Sequence, residues 1–279
     1  MCDACASKFT ANKSINVQKR EKTCKNSQML SRNRKNLILD TLKRDGQIVA
    51  KTLSAELGLS EDTIRRDLRE LAASGQLQRV HGGALPVSPA LVNLAGRQTQ
   101  AQAEKMAIGR TAAGMVLTGQ IVFIDGGTTC VQMARQLPLR LCATVVTHSP
   151  SVAVELVNHA SIDVILLGGN LFKHSMVALG AATIEAIARI RADAYFMGVT
   201  GIHIDAGLST GDNEEAHVKR ALMQQAAETI VLASPEKLGV ASAYRIARIE
   251  GASSIVTVRS VDAKLTAPFI AKGVSVVRV

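Results

Sequence analysis

The chain has 279 residues, 47% of them apolar, which is enough for two ordinary domains with buried cores and too apolar for wholesale disorder. Aromatic residues make up 3% and Trp is absent, which argues against base-stacking platforms for single-stranded nucleic acid. The charge is uneven: residues 1–90 carry 16 Lys and Arg against 9 Asp and Glu, whereas residues 91–279 carry 17 against 14.

A basic first third points to a polyanionic partner, because Lys and Arg displace the counterions of phosphates. A merely solvated basic surface has the same composition. No apolar run approaches the ~20 residues of a membrane helix and no signal-peptide core opens the chain, so a cytoplasmic protein with no membrane partner is expected.

Residues 1–28 are polar and basic without apolar periodicity and are expected to be a disordered extension. Met29 directly precedes the first periodic segment and is a second candidate for the start of translation. Cys2 and Cys5 have CxxC spacing, but no second pair or suitably spaced His accompanies them, so no metal or cofactor is expected. With Cys24, Cys130 and Cys142 they read as free thiols.

Three short helices follow in close order. The first, about Arg32 to Arg44, puts Leu37, Ile38 and Leu42 on one face and ends at Asp45-Gly46. Gln47-Ile48-Val49 reads as a very short strand, and Ala50 to Leu57 as a second helix. Gly58 supplies the C-cap, Ser60 the next N-cap, and a third helix runs from Glu61 to about Ala73. Leu77 to Leu85 then reads as a β-hairpin, closing a domain over 29–86, and Pro86, Ser88 and Pro89 mark a linker over 87–100.

From 101 to 279 helices alternate with short apolar strands. Strands are predicted at Ile121–Asp125, Ala143–Thr147, Asp163–Leu167, Asp193–Gly198, Thr229–Ala233, Ser254–Val258 and Val274–Val277. Helices are predicted over Glu104–Leu117 and near 150–158, 181–190, 213–227 and 262–271, with one more between Thr129 and Leu137. Continuous apolar strands in β-α alternation predict an α/β domain built on a mostly parallel sheet covered on both faces.

In the third helix Ile64, Leu68 and Leu71 recur at i, i+4, i+7 and must face a core. Asp62, Arg65, Arg66 and Arg69 therefore point away from it. Arginines near a helix start suit bidentate contacts to guanine O6 and N7, Asp62 is placed to pair with Arg66 one turn on, and Arg79 and His81 on the hairpin are placed to meet the DNA backbone or minor groove. A three-helix bundle with a solvated arginine face shows the same periodicity, so geometry alone leaves both readings open.

The run Ser60-Glu-Asp-Thr63-Ile-Arg65-Arg66-Asp67-Leu68, with Leu71, Gly75 and Arg79-Val-His81-Gly82-Gly83-Ala84, resembles the signature of DeoR-type bacterial transcriptional regulators over the whole of 31–86. The resemblance implies a winged helix-turn-helix in which Ser60, Thr63, Arg65 and Arg66 are the main contacts to a double-stranded operator.

In the second half Asp125-Gly126-Gly127-Thr128-Thr129 lies between a strand and a helix. Its glycines allow close backbone approach, its first helical N–H groups attract an anion, and Asp125 is placed to accept from a sugar hydroxyl. Such turns also occur for steric reasons alone. If the strands are parallel, Thr147-His148, Gly168-Gly169 and Asp205 gather on the same edge, and Lys219 offers a second cationic partner for a phosphate.

This half resembles the sensor domain of the same regulators over about 97–257, through Asp125–Thr129, Val146-Thr147, Leu167–Gly169, Ala192-Asp193 with Phe196–Gly198, and Gly207. That resemblance implies a fold like ribose-5-phosphate isomerase and a phosphorylated sugar as effector. The chain departs from the family at His148, commonly Asn, and at Ser234-Pro-Glu-Lys237, commonly Asp-Ser-Ser-Lys, which leaves Lys237 without its usual neighbour.

Two functions are compatible with these features. One is a repressor of a carbohydrate operon, a homodimer or homotetramer because paired half-sites need paired helices, released by its effector. The other is an isomerase or deaminase of sugar phosphates using Asp125, Asp205, Glu214 or Glu215 as acid–base groups. Nothing in the sequence poises a carboxylate at a sugar carbon, and the attached DNA-binding module favours sensing over turnover.

Overall fold

The computed structural model describes residues 31–88 and 92–279. The expectations for residues 1–28, for Met29 and for Cys2, Cys5 and Cys24 lie outside them. The chain divides into two compact units, 1–86 and 87–279.

The first unit contains α1 (Ser31–Asp45), β1 (Ile48–Val49), α2 (Ala50–Leu57), α3 (Glu61–Ala73), β2 (Gln78–Val80) and β3 (Gly83–Leu85). Ile38 and Leu42 from α1, Leu53 from α2, and Ile64, Leu68 and Leu71 from α3 close one small core with Ile48, Leu77 and Ala84. Gly58 takes the left-handed conformation that ends α2 (φ 63°), where a Cβ would be strained. The hairpin pairs antiparallel with β1, Ile48 opposite Ala84 and Val49 opposite Gly83.

The second unit contains α4 (Leu94–Gln98), α5 (Gln102–Ala113), β4 (Ile121–Ile124), α6 (Thr128–Arg135), β5 (Ala143–Thr147), α7 (Pro150–Leu156), β6 (Ile162–Leu166), β7 (Asn170–Phe172), β8 (Val177–Leu179) and α8 (Ala181–Ala188). These are followed by β9 (Ala192–Gly198), β10 (Gly201–His203), β11 (Gly207–Thr210), α9 (Asn213–Gln225), β12 (Ala226–Leu232), β13 (Tyr244–Ala247), β14 (Ser254–Thr257), α10 (Ala263–Ala271) and β15 (Ser275–Arg278). Seven strands form a sheet in the order β15-β14-β12-β9-β4-β5-β6, and each neighbouring pair is parallel.

Because the inner strands are covered on both faces, Val122–Ile124, Val145-Val146, Tyr195–Met197, Val231-Leu232 and Ile255-Val256 are all buried. From β4 the chain steps outward to β5 and β6, and from β9 it steps the other way to β12, β14 and β15. β4 and β9 are adjacent, with Phe123 opposite Tyr195 and Ile124 opposite Phe196, so the strand order reverses between them. Right-handed crossovers then place α6 and α7 on one face and α9 on the other. Beyond their carboxyl ends a crevice opens, which is where open α/β sheets hold ligands.

Three features differ from the sequence expectation. Residues 87–100, expected as a linker, are built into the second unit where described. Val87 bridges to Ala241, Ser88 Oγ donates to Thr200 O, Leu94 N donates to His174 O at 2.9 Å, and Asn93 Oδ1 caps α4 by accepting from Gly96 N at 2.9 Å. The hairpin β7–β8 and the antiparallel sheet β10-β11-β13 were not anticipated, because strands of three or four residues carry too little periodicity to be recognised. β6 lies at the sheet edge, so Val164, Ile165 and Leu166 are 36%, 43% and 51% exposed instead of buried.

Gly83 sits where β3 meets β1, and a Cβ there would lie 1.7 Å from Ile48 O, a backbone atom that cannot swing aside. Gly83→Ala is expected to open this pairing and lower the stability of the first unit by about 1–3 kcal/mol, the usual cost of overpacking. Urea unfolding monitored separately for each unit should show the loss in residues 31–86 and leave the transition of the second unit in place.

Candidate nucleic-acid interface and ligand pocket

α3 begins at Ser60, whose Oγ accepts from Thr63 N at 3.2 Å and lies 2.9 Å from Thr63 Oγ1. The Ser60 hydroxyl expected to touch DNA thus also caps the helix, while Ser60 remains exposed. Arg65, Arg66 and Arg69 are all exposed along α3, as are Arg79 and His81 on the hairpin. The expected Asp62–Arg66 pair does not form. Arg65 instead donates from Nη2 to Glu61 Oε1 at 2.7 Å, one turn back, because Glu61 reaches further than Asp62.

What orients this stripe was missed in the sequence. Asp67 lies on the same side of α3 as Ile64, Leu68 and Leu71 and is 2% exposed. It accepts from both Arg34 Nε and Arg34 Nη2, the latter at 3.0 Å, in a forked pair that ties α1 to α3. Lys35 adds a second tie to Glu70 at 2.5 Å. A carboxylate on an otherwise apolar stripe was the available signal.

In the second unit Asp125 ends β4 at the reversal point and is fully enclosed. Its Oδ1 accepts from Gly126 N at 2.8 Å; its Oδ2 accepts from Gly198 N at 2.9 Å and from Lys219 Nζ. His148 Nε2 lies 3.2 Å from Oδ1. Burial pushes the carboxyl up, but Lys219 and His148 outweigh it and hold it well below the usual carboxylate range. Loss of water, with the same buried negative charge beside it, pushes the Cys130 thiol up to about 12. The expectation that Asp125 accepts from a sugar hydroxyl is therefore corrected: its oxygens are occupied from within the protein, and it holds the loop.

Lys219 is likewise occupied, donating to Asp125 and to Gly198 O at 3.0 Å and lying 3.3 Å from Glu215 Oε1. The glycines of the loop are steric necessities. A Cβ on Gly126 would meet Val177 Cγ1 at 2.2 Å, and Gly127 opens α6 at φ 108°, a conformation that L side chains avoid. Above this loop the opening N–H groups of α6 lack intrahelical acceptors, and Thr129 Oγ1, buried to 2% exposure, has no hydrogen-bond partner among the described residues.

Two cations that sequence spacing does not bring together close the same cavity of about 20 Å³: Arg97 from α4 and Lys237 from the turn after β12 line it with Gly126–Cys130, Gly198–Thr200, Glu215 and Lys219. Arg97 is 8% exposed; its Nη2 donates to Ser175 Oγ at 3.4 Å, while its Nε has no hydrogen-bond partner among the described residues. Lys237 is 5% exposed and makes no ion pair among the described residues. Burial lowers its ammonium to about 8, with Lys105 and Arg97 nearby adding to the fall and Glu236 opposing it. Lys105 in turn spends its charge on two carbonyls, Arg97 O at 2.7 Å and Gln100 O at 2.6 Å.

Arg97, Thr200 and Glu215 also line an adjoining cavity of about 150 Å³, together with Phe172, His174, Ser175, Gly211 and Asp212. A wider cleft of about 550 Å³ runs past Gln98, Gln102, Gln132 and Met176, but its Arg135 is already paired with Glu155 at 2.7 Å. The unpaired donors belong to the smaller cavities.

Other expected site residues stand apart. Thr147 is buried, its Oγ1 accepting from Ser149 N at 3.1 Å. Gly168 and Gly169 lie in the exposed turn into β7, where Gly168 O accepts from Thr183 Oγ1 at 2.7 Å. Asp205 is exposed at the tip of β10–β11, where its N–H donates to His203 Nδ1 at 3.2 Å. None of the four lines the cavity beneath the loop. The strands do point their carboxyl ends one way, but the β7–β8 and β10–β11 hairpins carry the following residues off that edge.

A DeoR-like helix-turn-helix domain matches residues 34–90, and a DeoR C terminal sensor domain matches residues 100–259. The HTH-type transcriptional regulator GlpR of Haloferax volcanii is 35% identical over 256 residues, covering 89% of this chain and 98% of that protein. The glycerol-3-phosphate regulon repressor of Escherichia coli K12 is 32% identical over 207 residues, covering 74% of this chain and 82% of the repressor. Among solved structures, ribose 5-phosphate isomerase A from Methanocaldococcus jannaschii aligns at a TM-score of 0.36 with 16% identity, over 48% of this chain and 52% of the isomerase. With both of its units matched and a relative aligned over nearly its whole length, the chain belongs to the DeoR family of DNA-binding transcriptional regulators.

Proposed function

We propose that the protein represses a carbohydrate operon as a dimer or larger assembly, and that a phosphorylated sugar or polyol entering beneath the Gly126–Thr129 loop releases it from DNA. The observation that carries the effector reading is the group of donors around that loop: the buried Thr129 Oγ1 and Arg97 Nε, which have no hydrogen-bond partner among the described residues, and beside them the Lys237 ammonium, which makes no ion pair there. Buried donors of this kind cost free energy until an acceptor satisfies them, and a phosphate has acceptors for all three. The adjoining 150 Å³ cavity, with Asp212, Ser175 and Glu215 on its wall, suits the hydroxyls of a small polyol. That the Escherichia coli relative is named for glycerol 3-phosphate supports the same ligand class.

Sensing is favoured over catalysis by the state of the carboxylates. Asp125 is sealed and ion-paired, Asp205 and Glu214 are exposed away from the cavity, and Glu215 is engaged by Lys219 and by Ser175 Oγ at 3.4 Å. None is left as a free general base at a reacting carbon.

On the DNA side the exposed Arg66, near the start of α3 and outside any ion pair among the described residues, is the leading base contact, with Ser60, Thr63, Arg65 and Arg69 beside it and Arg79 and His81 on the wing. Arg66→Ala is expected to weaken binding to a DNA sequence selected by the wild-type chain by about 1–3 kcal/mol, roughly 5- to 150-fold. A gel-shift titration checks this, and unchanged affinity removes Arg66 as the main contact.

Thermal-shift titration with glycerol 3-phosphate, fructose 1-phosphate and glucose 6-phosphate tests the pocket, since a bound ligand raises apparent stability with the logarithm of its concentration over Kd. Thr129→Val, which removes only the unpartnered hydroxyl, is expected to weaken any hit by about tenfold, the worth of one hydrogen bond to a charged acceptor. An undiminished shift would put the ligand elsewhere.

The same pocket predicts a pH dependence. An anion beside Lys237 favours its charged form, so binding takes up a proton wherever the free protein holds Lys237 neutral. Affinity is full below pH 8 and is lost as pH rises through the depressed value. Between pH 7 and 9, where a phosphomonoester is already dianionic, affinity should fall about tenfold, and Lys237→Met should flatten the profile.

A further inference from the structure

Arg97 reaches the pocket from an unusual direction. It does not belong to the loops of the sheet but to α4, on the segment that begins at Val87, the residue following the last of the first unit. That segment is fastened to the residues that line the ligand cavities. Ser88 Oγ donates to the carbonyl of Thr200, and Leu94 N donates to His174 O at 2.9 Å. Arg97 Nη2 reaches Ser175 Oγ at 3.4 Å, and Lys105 Nζ holds the carbonyls of Arg97 and Gln100. Thr200, His174 and Ser175 all line the 150 Å³ cavity. The cavity wall and the anchor of the tether are therefore the same residues.

Arg97 has no carboxylate partner within ion-pair distance among the described residues, although Glu215 and Asp125 are near enough to act on its charge. Its Nε is buried without an acceptor among the described residues. A guanidinium in that condition is held by weak contacts alone, and a dianion in the cavity supplies what it lacks, a forked acceptor for two N–H groups.

We propose that Arg97 is a ligand-binding residue placed on the tether, so that a phosphate in the pocket pairs with Arg97 as well as Lys237 and clamps residues 92–100 onto the sensor. This rests on the effector reading above. Ligand affinity for the clamped state exceeds that for the loose one by the strength of this pairing, which is the differential contact that any ligand-driven shift requires. The tether is the covalent path to the DNA-binding unit: each residue freed from the sensor adds up to about 3.5 Å of reach, and each residue clamped removes it. A dimer whose paired helices must span successive turns of DNA is sensitive to that length. Occupancy of the pocket is thereby read by the first unit without any contact to it from the ligand.

The test uses the full-length protein with glycerol 3-phosphate, fructose 1-phosphate, glucose 6-phosphate and inorganic phosphate as probes. Binding is measured by calorimetry, and amide exchange is followed over residues 92–100. In the wild type a binding probe should slow exchange in that segment. Arg97→Gln should weaken the same probe by about 10- to 100-fold, the range for a hydrogen bond to a charged group, and abolish the slowing. Arg97→Lys, which keeps the charge and loses the fork, should fall between the two.

Wild-type probe affinity in Arg97→Gln, or ligand binding that leaves exchange over 92–100 unaltered, overturns the proposal. If Thr129→Val still weakens the probe in that case, the pocket stands and only the role of Arg97 is lost. If no probe binds the wild type, the pocket reading falls with it.

Discussion

The second unit is organised around one buried ion pair. Asp125 and Lys219, 94 residues apart in the chain, meet at the point where the strand order of the sheet reverses. Removing two such charges from water costs several kcal/mol each, and that cost is met only when the remaining lone pairs and protons are also satisfied. Here they are: Gly126 N, Gly198 N and Lys219 Nζ serve the carboxylate, while Gly198 O and Glu215 serve the ammonium. The pair joins the ends of β4 and β9 to α9 and sets the geometry of the Gly126–Thr129 loop between them. Truncating either member alone would strand the other, typically at about 3–5 kcal/mol.

That arrangement separates charges paired inside the protein from charges that are not. Asp125, Lys219 and Glu215 neutralise one another inside the protein, and Lys105 is consumed by the carbonyls of Arg97 and Gln100. What remains at the cavity is cationic and unspent: Arg97 and Lys237, with the Thr129 hydroxyl and the start of α6. A pocket whose own acid groups are already engaged presents excess positive potential to whatever enters, which favours a doubly charged anion over a neutral sugar. The first unit follows the same logic. Asp67 takes Arg34 at the core boundary, and the arginines it does not engage are displayed outward along α3.

Much of the first unit was legible because its signals are local. Helix caps at Gly58 and Ser60, apolar spacing in α3, and turn glycines each act within a few residues, so α2 and α3 fall where the spacing predicts them. Order along the second unit was legible for a related reason: strands covered on both faces must be continuously apolar. The reading failed where depth mattered. Spacing puts Asp125 at the end of a strand but does not say how far below the surface, and it takes a Lys from α9 to decide that. Gly168, Gly169 and Asp205 were assigned to the ligand edge by the rule that parallel strands gather their loops. Short hairpins, whose three-residue strands have no detectable period, carry them away. Arg97 was passed over because its surroundings in sequence read as a linker.

The sequence by itself determined that there are two units, that α3 presents arginines outward, and that a glycine-rich turn follows a buried strand, since each follows from periodicity and backbone sterics over short distances. Only the tertiary structure decided which charges are paired. Asp125 with Lys219, Asp67 with Arg34, and the juxtaposition of Arg97 with Lys237 depend on strand order and on burial. The free energy of a charge is set by its neighbours and by its access to water, and neither is a property of its position along the chain.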